Sequence, residues 1–331
     1  MIVRPSDPRL SWEGAVSLEH RDGGMHVWRL PVEKLPLFYE GLVFAASSPA
    51  GVRIRFRTDS TSVGGDIGRY DEPGKIDLEV DGRIVDAIQL SDRDRFLFSG
   101  LDPSMKTIEL WLPQRRPFDI SAIKVDDDAV VEPDSDPRPK WVVYGSSITH
   151  CGQADSPSQT WPGIVARNRG FNLTCLGYGN ECRLDPHVGL MIRDLPADYI
   201  CTAIGSNLIG GSMNLRTFRI AVMGFVRIIR EKHADTPFVV MSPTIIPRHE
   251  SALNVVGMSL EIMRKELREA VEILRGYGDT NLHYADGLKV FGRDEEHLLT
   301  DGVHPNADGY RAMGRNFTER FAERYYTPKG L

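Results

Sequence analysis

Cysteine is scarce in this chain, with four in 331 residues, and Cys151, Cys175, Cys182 and Cys201 all fall in the central third. No C-x-x-C pair occurs, which removes the usual signature of a structural zinc site. Reduced thiols packed under a site are expected instead, although Cys151 and Cys182 each follow a strand end and would lie near each other. Asp155, Glu181 and Asp185 follow no calcium or magnesium motif. Neither a metal nor a cofactor is expected. Long apolar runs are missing too, and nothing approaches the roughly 20 residues that span a bilayer. The opening Met1-Ile2-Val3-Arg4-Pro5-Ser6-Asp7-Pro8 has no apolar export core. A cytoplasmic location and no membrane partner are therefore the expectation. Positive charge is in deficit, 40 Lys and Arg against 46 Asp and Glu. A net charge of −6 offers no basic face for phosphates, so no nucleic-acid partner is expected. The oligomeric state is left open.

What is present is a change of pattern. Over residues 1–131, Val52-Arg53-Ile54-Arg55-Phe56-Arg57 alternates apolar and charged residues, the period of a half-buried strand. Ile76-Asp77-Leu78-Glu79-Val80 repeats it, and Asp81-Gly82 turns the chain into Arg83-Ile84-Val85. Ile108, Leu110 and Leu112, then Ile120–Val125, continue the series with no convincing helix between. An all-β sandwich, jelly-roll-like, is expected. Residues 132–139, Glu132-Pro133-Asp134-Ser135-Asp136-Pro137-Arg138-Pro139, read as a linker.

Residues 140–331 alternate strand and helix. Val142–Tyr144, Asn172–Leu176, Tyr199–Ala203, Phe238–Met241 and Leu282–Ala285 are short apolar runs. Helical stripes follow at Leu215, Phe218, Val222, Phe225 and Ile229, at Met263, Leu267, Val271 and Leu274, and at Tyr310, Met313, Phe317 and Phe321. This α/β alternation predicts about five parallel strands in a flavodoxin-like, three-layer domain.

Ligands bind outside the carboxyl ends of such strands. The first strand delivers Gly145-Ser146-Ser147, the second Gly177-Tyr178-Gly179-Asn180, and the third Gly205-Ser206-Asn207. Asp301-Gly302-Val303-His304-Pro305 follows the fifth. A serine at a strand tip with an Asp–His pair is what nucleophilic acyl transfer requires. Each residue also has an ordinary structural explanation: Ser147 and Asp301 suit helix caps, Asn207 suits a turn, and Gly179 suits a positive φ. Their convergence on one sheet edge favours a site.

Four ordered blocks resemble those of the SGNH hydrolases, or GDSL-type esterases, over residues 141 to about 325. Gly145-Ser146-Ser147-Ile148-Thr149 is similar to the first, Gly179 to the glycine of the second, Gly205-Ser206-Asn207 to the third, and Asp301-Gly302-Val303-His304 to the last. The resemblance implies Ser147 as nucleophile, His304 as base and Asp301 as its orienting acid. It also implies an oxyanion hole from the N–H groups of Ser147 and Gly179 and the side chain of Asn207. Ser146 and Leu208 stand where the family commonly has aspartates. The Gly-Ser-Ser-Ile-Thr variant behind a β-sandwich is similar to a branch with carbohydrate deacetylases and some acyltransferases.

A serine esterase acting on short acyl esters, acetyl by the resemblance, of a hydroxylated small molecule such as a sugar is therefore expected. An acyltransferase with the same triad is the alternative, and a non-catalytic carbohydrate-binding protein a third reading. Residues 243–256 supply Arg248, His249, Glu250 and Asn254, which suit a wet pocket and favour water as acceptor. Around the site, His150 and Cys151 are pocket or packing candidates, Tyr178 and Trp161 sugar-stacking or core candidates, and His187 a structural residue.

Overall fold

The computed structural model describes residues 1–327; residues 328–331, the end of the expected second domain, lie outside the described residues. The chain divides into two compact units. The first comprises Met1–Arg138 together with Asp155–Gln159 and Asn172–Cys175, and the second comprises the rest.

Two antiparallel sheets make up the body of the first unit. One runs in the order Ser17–Arg21, Gly24–Trp28, Asp119–Val125, Ser62–Tyr70, Arg93–Ser99, and the other Val131–Glu132, Arg53–Thr58, Lys106–Trp111, Lys75–Val80, Arg83–Gln89. Their apolar residues share one core that includes Val27, Ile54, Phe56, Leu78, Phe98, Ile108, Leu110 and Ile123. The hairpin at Asp81-Gly82 forms as its sequence predicts, with φ of 48° and 80° at the two turn residues. Such a pair of positive values matches the right-handed twist of the flanking strands. The unit is not free of helix: Glu40–Ala46 is a short α-helix after a 3-10 turn at Val32–Leu37.

Alternation also misses the fate of the charged face. Arg53 is 1% exposed, and its guanidinium donates four hydrogen bonds. It donates to the carbonyls of Gly51 at 2.7 Å and Leu173 at 2.8 Å, to Asn172 Oδ1 at 2.6 Å and to Glu109 at 3.2 Å. Burying a charge is tolerable only with such pairing. Arg138 extends the network, bonding Glu109 at 2.6 Å and gripping Asp136, whose side chain is 1% exposed. The stretch read as a linker is thus packed at its Asp136–Arg138 end.

The parallel sheet has five strands in the order Asn172–Gly177, Lys140–Gly145, Tyr199–Ala203, Phe238–Met241, Leu282–Ala285. Numbered along the chain this is 2-1-3-4-5, the flavodoxin-like order. The predicted stripes lie on helices Leu215–Arg230, Leu260–Gly276 and Ala307–Phe317. Phe218, Val222, Phe225 and Ile229 are buried, as are Met263, Leu267, Val271 and Leu274, whereas Leu215, in the first turn, is exposed. The last helix does not continue smoothly to Phe321: a π-turn spans Thr318–Ala322, after which Glu323–Tyr325 resumes α geometry.

Candidate active site

The first parallel strand ends at Gly145, and a short helix, Ser147–His150, begins two residues later. Glycine is required at the bend, because a Cβ on Gly145 would lie 2.1 Å from Thr149 Oγ1. Ser146 caps the helix, its Oγ accepting the Ile148 N–H at 3.2 Å. A neutral cap therefore stands where the family commonly has aspartate. Ser147 is the first helical residue, so its own N–H lacks an intrahelical acceptor.

Ser147 Oγ lies 2.8 Å from His304 Nε2, and His304 Nδ1 lies 2.7 Å from Asp301 Oδ2. The other carboxylate oxygen, Oδ1, accepts the backbone N–H groups of Val303 at 2.9 Å and His304 at 2.8 Å. Burial raises the Asp301 carboxyl, but the bonds from the His304 ring and these two N–H groups outweigh it and bring it to about 2. Asp301 is thereby an anion throughout the neutral range. An anion at Nδ1 fixes the tautomer in which Nε2 faces Ser147 with its lone pair. Ser147, His304 and Asp301 thus form one continuous hydrogen-bonded chain.

Gly179 lies beside the serine, since a Cβ added to it would sit 3.9 Å from Ser147 Cβ. It is not among the residues of positive φ; Asn180, next to it, is, at 65°. A positive φ thus does not account for glycine here, and an added methyl would meet Ser147 Cβ at ordinary contact distance. Asn207 Oδ1 accepts the N–H of Cys182 at 3.0 Å. Its amide nitrogen is left to donate elsewhere.

Neighbouring candidates fall mostly behind the site. Trp161 is fully buried against Trp141 and Phe317 and donates to the Ile148 carbonyl at 3.1 Å. Tyr178 is fully buried against Tyr144. Both are core residues and neither presents a face to a sugar. His150 Nδ1 meets the Gly177 carbonyl at 3.1 Å, and buried Cys151 donates to the Ile148 carbonyl at 3.1 Å. All four cysteines are free and buried, and burial pushes the Cys182 thiol up to about 12. Asp155 pairs with Lys75 at 3.2 Å. Among the described residues no cluster of three or more His, Cys, Asp or Glu could hold a metal, and no helix is long and apolar enough to cross a membrane. A cavity of about 620 Å³ lined by Arg268, Arg275, His283 and Tyr325 contains none of the candidate site residues. Two contributors escaped sequence reading, the Cys182 N–H that orients Asn207 and the Ser146 cap. The first is a backbone group, which no residue type signals.

Residues 139–321 match the GDSL-like lipase/acylhydrolase family, and residues 10–120 match the N-terminal domain of SsfX3. A salicylyl-acyltransferase, SsfX3, from a tetracycline biosynthetic pathway is 33% identical with a TM-score of 0.91, over 98% of this chain and 97% of that one. A GDSL-like lipase from Bacteroides ovatus is 22% identical over 98% and 97%, with a TM-score of 0.79. A family-two carbohydrate esterase from Clostridium thermocellum shares the fold at 13% identity and a TM-score of 0.68, over 96% and 99%. No curated protein matches the chain. With both the ordered sequence blocks and more than half its length matched, the chain belongs to the GDSL-like lipase/acylhydrolase family.

Proposed function

We propose that this protein is a serine acyl-transfer enzyme working through an acyl-enzyme on Ser147, with hydrolysis of a short acyl ester as its basic reaction. The observation that carries this reading is the continuous Ser147–His304–Asp301 chain at 2.8 and 2.7 Å. In the first half-reaction His304 Nε2 takes the hydroxyl proton as Ser147 Oγ bonds to the acyl carbon. The carbonyl oxygen becomes an oxyanion, held by the N–H groups of Ser147 and Gly179 and the amide of Asn207. Collapse breaks the ester C–O bond, and the departing alcohol oxygen receives the proton from His304. In the second half-reaction an incoming hydroxyl gives its proton to His304 and attacks the acyl carbon; collapse breaks the bond to Ser147 Oγ, which takes the proton back from His304.

A purified-protein screen with aryl acetates and acetylated sugars tests the reading, with Ser147→Ala as control. Ester cleavage that depends on Ser147, and fluorophosphonate labelling at Ser147 alone, is the expected result. Labelling of a different serine with Ser147 untouched would sink it.

A second reading, transfer to an alcohol acceptor, is favoured by the 33% identity to a salicylyl-acyltransferase across essentially the whole chain. Both reactions share acylation of Ser147 and part only at the incoming hydroxyl. Following an activated ester with and without millimolar sugar or polycyclic alcohols separates them. Product going mainly to the alcohol, with negligible hydrolysis, would establish transfer.

A further inference from the structure

The loop after the fourth parallel strand, read from sequence as a wet, polar wall, has turned two of its polar side chains, Glu250 and Asn254, inward, while Arg248 stays exposed. Glu250 accepts both Arg264 Nη1 at 2.7 Å and Nη2 at 2.8 Å, and Arg264 also donates to the Pro243 carbonyl at 2.9 Å. Both side chains are buried. Asn254 is held through both its amide oxygen and its amide nitrogen. Its Oδ1 accepts the N–H groups of Val256 at 3.0 Å and Met258 at 2.9 Å, and its Nδ2 donates to the Ile209 carbonyl at 2.8 Å. Arg248 donates to its neighbour His249 at 3.1 Å. Beyond the exposed Ser251, two apolar side chains stand out at the tip: Leu253 is 65% exposed and Val255 is 93% exposed.

The tip is fixed beside the candidate oxyanion donor. Ile209, which Asn254 holds, is two residues beyond Asn207. Val255 Cγ2 lies 2.9 Å from where a Cβ on Gly211 would be, so the valine rests on the bare backbone of a glycine whose φ is +100°. Turns at Gly205–Leu208 and Leu208–Gly211 are each closed by a backbone bond, of 2.9 and 3.1 Å. A closed turn keeps its end Cα atoms within about 7 Å. Asn207 lies within the first of these turns, so the apolar tip is one tight turn beyond it. A single exposed apolar side chain needs no explanation. Two of them on a clamped tip, next to the group that would hold an oxyanion, do.

We propose that Leu253 and Val255 form an apolar ledge that receives the alcohol part of the substrate, selecting an alcohol with an apolar ring face over a free sugar. This rests on the acyl-transfer reading given above. A ring lying on the ledge releases water from both surfaces, while a sugar hydroxyl there loses water and gains no partner. The ledge acts on substrate choice and takes no part in bond making.

The test uses the full chain and two acetyl esters of primary alcohols, 2-naphthylmethyl acetate and methyl 6-O-acetylglucoside. The wild type is expected to prefer the naphthylmethyl ester in kcat/KM. In Leu253→Ser/Val255→Ser that preference should fall about tenfold, mainly through KM, the scale on which apolar pockets discriminate. Both sites are exposed, so the fold is not at stake. Protection of Ser147 from a fluorophosphonate by 2-naphthalenemethanol, lost in the double variant, reads the same contact without turnover. An unchanged preference in the double variant, or a wild-type preference for the glucoside, overturns the ledge. Failure of a fluorophosphonate to label wild-type Ser147 overturns instead the reading beneath it.

Discussion

Asn207 accepts the backbone N–H of Cys182 through its carbonyl oxygen at 3.0 Å. Because the partner is a donor, the atom facing it must be oxygen, and the amide nitrogen points the other way. Asn207→Asp keeps an oxygen for Cys182 yet offers no donor to an oxyanion. We expect both Asn207→Asp and Asn207→Ala to lower kcat by about 10²–10³-fold with little change in KM. Steady-state kinetics on an aryl ester decides the point, and a loss confined to KM would contradict it.

Ser147→Ala and His304→Ala should each reduce kcat by a factor on the order of 10⁶, and Asp301→Asn by less, on the order of 10⁴. In the proposed reaction the aspartate orients, whereas the imidazole moves the proton. A more damaged Asp301 variant than His304 variant would reverse these roles.

The Asp301 carboxyl, at about 2 against an ordinary 3.8, also sets a pH expectation. Its folded-state value is lowered, so its contribution to stability is present above 3.8 and is lost as pH falls through about 2. An acid limb of activity above pH 4 therefore does not report Asp301. Acid unfolding of the wild type should instead show a loss of stability between about pH 4 and 2 that Asp301→Asn lacks. An acid-unfolding profile unchanged in the variant would refute this contribution.

Two glycines near the serine should differ in stability though both lose activity on substitution. A methyl on Gly177 would lie 2.3 Å from the backbone nitrogen of His150, which cannot give way without moving the Ser147–His150 turn. Gly177→Ala is expected to lose both stability and activity. A methyl on Gly179 meets only Ser147 Cβ, at 3.9 Å. Gly179→Ala should keep its melting temperature and still lose activity, by about tenfold as the acyl space shrinks. Thermal unfolding alongside kinetics distinguishes the two.

Arg264→Met strands the buried Glu250 carboxylate and should cost about 3–5 kcal/mol. Arg264→Met/Glu250→Met, which removes both charges, should recover part of that loss. Denaturant titration measures both, and a double variant less stable than the single would count against this account.

The architecture was largely legible. Period-2 alternation and the Asp81-Gly82 turn give the sandwich its strands, and apolar runs between helical stripes give the five-stranded sheet. The residues that meet at Ser147 were also legible, because short polar blocks after strand ends must share one edge. Other features depend on partners far away in sequence. Arg53 reads as a solvent-facing residue until Asn172 and Leu173 are known to reach it. Glu250 and Asn254 read as pocket-lining until Arg264 and Ile209 claim them. Composition identifies a polar loop but not the direction in which its side chains turn.

The Arg53 guanidinium also says something about how the chain is made. Two of its acceptors, the Leu173 carbonyl and the Asn172 side chain, come about 120 residues after it. On the ribosome, the sandwich strands emerge long before these acceptors exist, and a charge that must end up buried has to wait in water for them. The N-terminal unit consequently reaches its final form only when residue 175 has left the exit tunnel. Translation order and folding order diverge here, and the first unit to be synthesised cannot be the first to be completed alone.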